Sequence, residues 1–283
     1  MKFGITMFPT DLTATVSDAA KEAEDRGFSS LFLAEHTHVP VDRSTPFPGT
    51  PDGSLPQEYH RLLDPFVALA AAAAVTSRIR LGTAVSLVAQ REPIVTAKAA
   101  ATLDLISGGR FDFGVGFGWM TEETRNHGVD PGLRRAVVRE HVLAMRALWT
   151  QDEAAFTGEH VSFEPSFCWP KPVQPGGPPI LLGGFGGPVL CEHIAEYADG
   201  WLPVGSWSLA AGLPNLRKAM AERDRDLSDL RIVPCGGFPP NPQEVEYFAS
   251  AGVEEIVLTV PDGPPERLPA VLDHYAATYL STT

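Results

Sequence analysis

The sequence predicts an α/β protein built as a (β/α)8 barrel, the TIM-barrel architecture. Two observations carry this expectation. Apolar, β-branched runs alternate with helix-patterned runs, and the alternation can be counted eight times along the 283 residues. The strand-like runs are nearly continuously apolar, as parallel strands buried on both faces must be. No low-complexity stretch or linker interrupts the chain, so a single domain over residues 1–283 is expected. An open, doubly wound sheet is the competing architecture.

The elements follow in order. "KFGITMF" is the first strand, and "DLTATVSDAAKEAEDRG" an acidic-capped amphipathic helix ending at Gly27. "SSLFLAE" is the second strand, followed by a polar, proline-rich loop from about His36 to Arg61. "DPFVALAAAAAV" is a helix with Asp64 as N-cap and Pro65 in its first turn. "RIRLGTAV" is a strand and "EPIVTAKAAATLDLISGG" a helix closed by Gly108 and Gly109. "RFDFGVGF" is the fourth strand and "LRRAVVREHVLAMRALW" the helix after it. An irregular insertion from Gln151 to Gly177 follows this fourth unit, with a short β excursion and a proline-rich return. Four strand–helix pairs complete the count, beginning at "PPILLGG", "DGWLPVG", "LRIVPCGG" and "EEIVLTV".

Composition excludes several function classes. The formal net charge of −13 argues against nucleic acid and anionic membrane as partners. The longest apolar run, "FVALAAAAAV", is too short to span a bilayer. Three widely spaced cysteines form neither a disulfide framework nor a zinc pattern, and the N-terminal run has no signal-peptide layout. A reducing cytoplasm is the expected location.

In a barrel the site lies at the C-terminal ends of the strands. What the strands deliver there is rich in glycine and aromatic residues and poor in converging acids and bases. That favours binding of a large, flat, phosphate-bearing molecule. "FGVGFGW" (113–119) places glycines at alternate positions of a strand, each costing roughly 0.5–1 kcal/mol relative to alanine. Gly114 reads as relief of crowding inside the barrel, Gly116 and Gly118 as positions approached closely by a ligand. The spacing fails the dinucleotide fingerprint because Trp119 stands where the third glycine belongs. "GGFGGPVL" (183–190) joins a strand to a helix and suits an anion held by free N–H groups at the helix start. "EHTH" (35–38) resembles a metal motif, but no further ligand set accompanies it, so no metal is expected. His36 at the strand mouth reads as a donor or acid toward substrate or cofactor.

The segments "EPIVTAKAAATLDLISGGRFDFGVGFGWMTEET", "LRRAVVREHVLAMRALW" and "ILLGG" resemble the luciferase-like monooxygenase superfamily. They are most similar to the deazaflavin (coenzyme F420)-dependent oxidoreductases of actinobacteria. The resemblance implies a luciferase-like barrel with a flavin or deazaflavin across the strand mouths. It implies an acid–histidine pair at Glu35 and His36 and a non-prolyl cis peptide between Ala84 and Val85. Gly116, Phe117 and Gly118 would line the cofactor, with Trp119 beside its ring. Arg134 would reach toward its phosphate, with Arg125 and Arg135 as further candidates for a basic path. Gly183, Gly184, Phe185, Gly186 and Gly187 would form the phosphate-side loop. Trp119 stands where sugar-phosphate and alcohol dehydrogenases of this group carry a proton-transferring glutamate, which argues against those substrates. The expected activity is hydride transfer between coenzyme F420 and a small organic substrate. An FMN-dependent monooxygenase with a separate reductase and a non-catalytic flavin-binding barrel are the alternatives. A homodimer is compatible with the resemblance.

Overall fold

Capping chemistry sets most element boundaries. The computed structural model describes residues 1–237 and 239–281; Phe238, Thr282 and Thr283 lie outside the described residues. Strand β1 (Lys2–Met7) leads to helix α1 (Val16–Arg26). The N-cap of α1 is Thr15, whose side chain accepts from the Asp18 N–H, and not the acidic residue expected at its start. Strand β2 (Ser30–Leu33) follows. Helix α2 (Pro65–Val75) starts where Asp64 caps the Val67 N–H and Pro65 occupies the first turn, as expected. Strand β3 (Arg80–Thr83) precedes α3 (Pro93–Ser107), which Glu92 caps and Gly108 ends in the left-handed region at φ 67°.

Strand β4 (Phe111–Val115) is followed by a helix that periodicity did not reveal, α4 (Thr121–Asn126), and then by α5 (Arg134–Thr150). Six residues are too few for a helical period to show in the sequence. The insertion holds the expected β excursion, an antiparallel hairpin of β5 (Ala154–Thr157) and β6 (Ser162–Ser166). The remaining units are β7 (Ile180–Gly184) with α6 (Pro188–Tyr197), β8 (Gly200–Pro203) with α7 (Gly205–Ala221), β9 (Arg231–Ile232) with α8 (Pro242–Ser250), and β10 (Glu255–Thr259) with α9 (Leu268–Tyr275).

Eight parallel strands form one sheet in the order β10–β1–β2–β3–β4–β7–β8–β9. The sheet closes on itself where the Val257 N–H of β10 donates to the Pro234 carbonyl just past β9, at 2.8 Å, beside a parallel bridge from Cys235 to Val257. The barrel is therefore the observed architecture, and the open sheet is excluded. A large apolar layer fills the space between strands and helices. A smaller plug of Phe32, Leu181, Leu202, Val233, Cys235 and Val257 fills the barrel interior, with Ala84 and Val85 packed against it.

The two barrel ends differ in chemistry. At the N-terminal ends of the strands, fully buried Asp112 accepts from both Arg80 and Arg231, and Arg231 also pairs with Glu255 at 2.5 Å. A cavity of about 570 Å³ opens at this end. Every one of these charges has a partner, which fits a structural role at the barrel end away from the strand C-termini. No helix among the described residues is long and apolar enough to cross a membrane.

Candidate functional site

The mouth of the barrel has a floor made by the turn after β3. The Ala84–Val85 peptide bond is cis. The chain then returns to β4: Ser86 N–H donates to the Gly114 carbonyl at 2.8 Å and Gly116 N–H to the Ser86 carbonyl at 2.9 Å. This places the Val85 isopropyl group between β4 and β7. A Cβ on Gly116 would stand 2.2 Å from Val85 Cγ2, and one on Gly183 would stand 2.4 Å from Val85 Cγ1. A Cβ on Gly114 would stand 1.8 Å from the Thr83 carbonyl oxygen. The glycines of "FGVGFG" thus have partners inside the chain. For Gly114 the crowding expected from the sequence is present. For Gly116, Val85 occupies the space a side chain would take. Gly118 sits at φ 75°, where the backbone turns away from the strand.

Glu35 and His36 leave the end of β2 in opposite directions, and they do not pair with each other. Glu35 is buried and accepts from Ser86 Oγ at 2.7 Å, from the Leu87 N–H at 2.7 Å and from the Arg91 guanidinium. Arg91 also pairs with Asp64 at 2.5 Å. Glu35 therefore ties down the segment that carries Val85. The acid that meets His36 is Glu123 on α4, with Nδ1 to Oε2 at 2.7 Å. Both side chains are buried, Glu123 at 0% exposure. The other Glu123 oxygen accepts from the Thr37 N–H at 2.9 Å and from Thr37 Oγ1 at 3.3 Å. Burial alone would raise the Glu123 carboxyl. The His36 hydrogen bond and charge, the Thr37 N–H and Gln90 outweigh it and hold the carboxyl below the usual range. A carboxylate only accepts, so Nδ1 carries a proton and Nε2 is the ring nitrogen left for another partner. Among the described residues no group hydrogen-bonds Nε2.

Aromatic rings surround this histidine. Tyr59 lies 5.2 Å from the His36 ring and Trp119 lies 5.7 Å from it, centroid to centroid. Phe47 packs on both, at 5.0 Å from Tyr59 and 5.5 Å from Trp119. Phe47 and Tyr59 come from the long loop between β2 and α2, and Glu122 holds that loop. Its carboxylate accepts from Ser44 N–H, Ser44 Oγ and Thr45 N–H at 2.9, 2.9 and 3.1 Å. His38 and His127 bond locally, to Asn126 and Thr37, and no metal-ligating cluster occurs among the described residues.

The other side of the mouth is the glycine loop before α6. Helix α6 has no side chain capping its first turn, a feature it shares with α4, α5, α7 and α9. Its N-cap is Gly187, and a Cβ there would meet nothing within 4 Å. Gly186 instead has a packing role: its Cβ would collide with Gly212 Cα and Trp201, both at 2.7 Å. Phe185 is half exposed and stacks on Trp207 at 5.2 Å. Arg134 Nη1 donates to the Pro131 carbonyl while its Nε is buried without a partner among the described residues. The cation over Phe117 is Arg135, 5.8 Å from the ring. His193 of α6 packs on the same ring, 5.4 Å from Phe117, centroid to centroid.

The structure brings His36 and Trp119, both named from the sequence, together with Glu123, Phe47 and Tyr59, which sequence reasoning did not name. "TEET" after β4 offered an acidic helix start as a weak signal for Glu123. The two loop aromatics had none.

A closed parallel barrel with its polar dyad and open helix terminus at the strand C-termini defines a (β/α)8 protein with a mouth-facing site. The chain belongs to the luciferase-like monooxygenase family, whose model matches residues 2–244. An uncharacterized protein of Mycobacterium tuberculosis is 44% identical over 279 residues, covering 98% of each chain. An F420-dependent glucose-6-phosphate dehydrogenase of Kineococcus radiotolerans is 31% identical over 194 residues, 66% of this chain and 51% of that one. The coenzyme F420-dependent tetrahydromethanopterin reductase of Methanopyrus kandleri superposes with a TM-score of 0.76 over 99% of both chains, at 18% identity. The family contains oxidoreductases and monooxygenases, including F420-dependent members.

Proposed function

We propose that this protein is an oxidoreductase that moves hydride between coenzyme F420 and a small organic substrate. The observation that carries the reading is the buried His36–Glu123 dyad beside Trp119 at the barrel mouth, in a family with F420-dependent members. The residues present fit such a cofactor. Ala84 and Val85 give a half-buried apolar floor resting on the interior plug, on which a tricyclic ring can lie. Gly187 opens α6 with uncapped N–H groups and no side chain in the way, which suits a phosphate.

The deazaflavin supplies hydride chemistry at its ring when bound. The chain supplies the rest. His36 holds or moves a proton at Nε2 toward the oxygen of the substrate, Glu123 fixes the ring's tautomer, and Trp119, Phe47 and Tyr59 exclude water. Glu35 acts through Arg91 and Ser86 to hold the floor. Arg134, Arg135 and Phe117 complete the cofactor side of the reading. A homodimer and a cytoplasmic location are part of the same proposal. The outer faces of α2 and α3 expose Val67, Val75, Val95, Leu105 and Ile106, apolar surface of the kind two copies bury. All three cysteines are free.

FMN is the second reading, because a solved structure with this fold, 17% identical to this chain, is a complex with FMN. Titration of the purified protein with coenzyme F420 and with FMN, followed by tryptophan fluorescence, separates the two. Tighter saturable quenching by F420 supports the proposal. Tighter binding of FMN with no F420 binding moves the assignment to FMN.

A further inference from the structure

We propose that residues 39–56 form a lid over the His36–Glu123 dyad, that Glu122 is the positioning residue that latches it shut, and that access to His36 opens when Phe47 swings out with the lid. The inference builds on the reading of His36 as the group that meets substrate. Its test uses neither cofactor nor turnover, so the two can fail separately.

The first argument is that the dyad is covered. His36 is 8% exposed and the Glu123 side chain not at all. The rings of Tyr59 and Trp119, which flank His36, stand 6.5 Å apart, and Phe47 rests on both, at 5.0 and 5.5 Å. A molecule that is to touch the imidazole needs this corner to part. Gln90, beside Glu123, keeps its Oε1 buried with no partner among the described residues. That arrangement costs free energy until water or a ligand answers it.

The second argument is the construction of the segment. Its tip packs on itself. The Phe47 N–H donates to the Gly53 carbonyl at 3.0 Å, a Cβ on Gly53 would stand 2.8 Å from Pro46 Cβ, and one on Gly49 would stand 2.6 Å from the Phe47 ring. Pro40, Pro46, Pro48, Pro51 and Pro56 stiffen it. A compact loop of this kind moves as one piece. Both flanks are held elsewhere. Thr37 and His38 bond to His127 and Asn126. The 3-10 turn Gln57–Arg61, which carries Tyr59, is fixed by Arg61 on Asp11 and by the Leu63 N–H on the Pro9 carbonyl at 3.0 Å. Tyr59 therefore stays when the segment moves, and Phe47 goes with it.

The third argument is the latch. Among the described residues, the hydrogen bonds that join 39–56 to α4 and the barrel all end on Thr121 and Glu122. Ser44 N–H, Ser44 Oγ and Thr45 N–H converge on one oxygen, Glu122 Oε1, and Thr45 Oγ1 pairs with Thr121 Oγ1 at 2.8 Å. Burial would raise the Glu122 carboxyl; the Ser44 and Thr45 donors outweigh it and hold the carboxyl below the usual range, so the latch is charged at neutral pH. Its bonds lie largely at the surface, where water competes for each donor, so loss of one carboxylate can release the segment. The next residue along α4 is Glu123. One short helix thus holds the lid with one side chain and the dyad with the next.

The test follows acylation of histidines by diethyl pyrocarbonate, which reacts with an accessible imidazole nitrogen, in the full chain with each site read by peptide mass. Exposed His274 reports the reagent, and His141 on α5, 7% exposed, reports global unfolding. Wild-type His36 is expected to react at least about tenfold more slowly than His274. Glu122→Ala and, independently, Phe47→Ala are expected to speed the His36 reaction about tenfold while His141 and His274 keep their rates. Glu122→Gln keeps an oxygen for the Ser44 and Thr45 donors and is expected to stay within about threefold of wild type. His36 that reacts as fast as His274 in the wild type, that keeps its rate in both alanine variants, or that speeds up only together with His141 would overturn the proposal.

Discussion

Replacing Glu123 by glutamine removes the charge from the dyad while keeping its shape. The carboxylate is fully buried and accepts three hydrogen bonds, from His36 Nδ1 at 2.7 Å, Thr37 N–H at 2.9 Å and Thr37 Oγ1 at 3.3 Å. A hydrogen bond to a charged group contributes about 1.5–3 kcal/mol. The amide keeps one acceptor oxygen but presents an NH2 to the other side, where Thr37 also donates. Glu123→Gln is therefore expected to lower unfolding free energy by about 1.5–3 kcal/mol at pH 7, read by urea denaturation. The sign with pH follows from the lowered carboxyl. The ionised group stabilises the folded state above the ordinary value of 4.5, and that contribution is lost as pH falls through the folded value below it. The gap between wild type and variant should thus be complete at neutral pH and close on acidification below 4.5. A gap under about 0.5 kcal/mol at pH 7, or one that widens below that pH, would refute the reasoning.

Two further outcomes follow from the mouth. Gly116→Ala sets a Cβ 2.2 Å from Val85 Cγ2 and should cost about 1–3 kcal/mol by overpacking. Adding Val85→Ala should recover at least about 0.5 kcal/mol of that loss, and strict additivity in the melts would count against the wedge. Gly187→Asp places a carboxylate at the uncapped start of α6. It should stabilise the fold by about 0.3–1 kcal/mol while weakening cofactor binding more than tenfold; unchanged affinity would remove this helix end from the phosphate site.

What could be read from the sequence was local. Asp64 with Pro65, and Gly108 after Ser107, mark helix ends through backbone chemistry that neighbouring residues determine. The barrel followed from alternation and apolar strands, both visible at short range. The dyad was not visible, because Glu123 lies 87 positions from His36 on a helix too short to announce itself. The resemblance matched the acid–histidine pair to Glu35 and His36, yet neighbouring residues at a strand end point to opposite faces, and Glu35 meets Ser86, Leu87 and Arg91 instead. A glycine in a strand shows only that something comes close; at Gly116 the Cβ side faces Val85, a residue from the adjacent strand's turn.

The central claim is that a bound deazaflavin exchanges hydride with a small organic substrate over His36. It is tested most directly by mixing the protein, loaded anaerobically with reduced coenzyme F420, with a panel of small carbonyl and unsaturated compounds while the cofactor's visible absorbance is followed. The account predicts appearance of the oxidised cofactor's absorbance with at least one compound, and loss of that turnover in His36→Ala with cofactor binding retained. Bound cofactor that stays reduced against every compound, or turnover that survives His36→Ala, would contradict it.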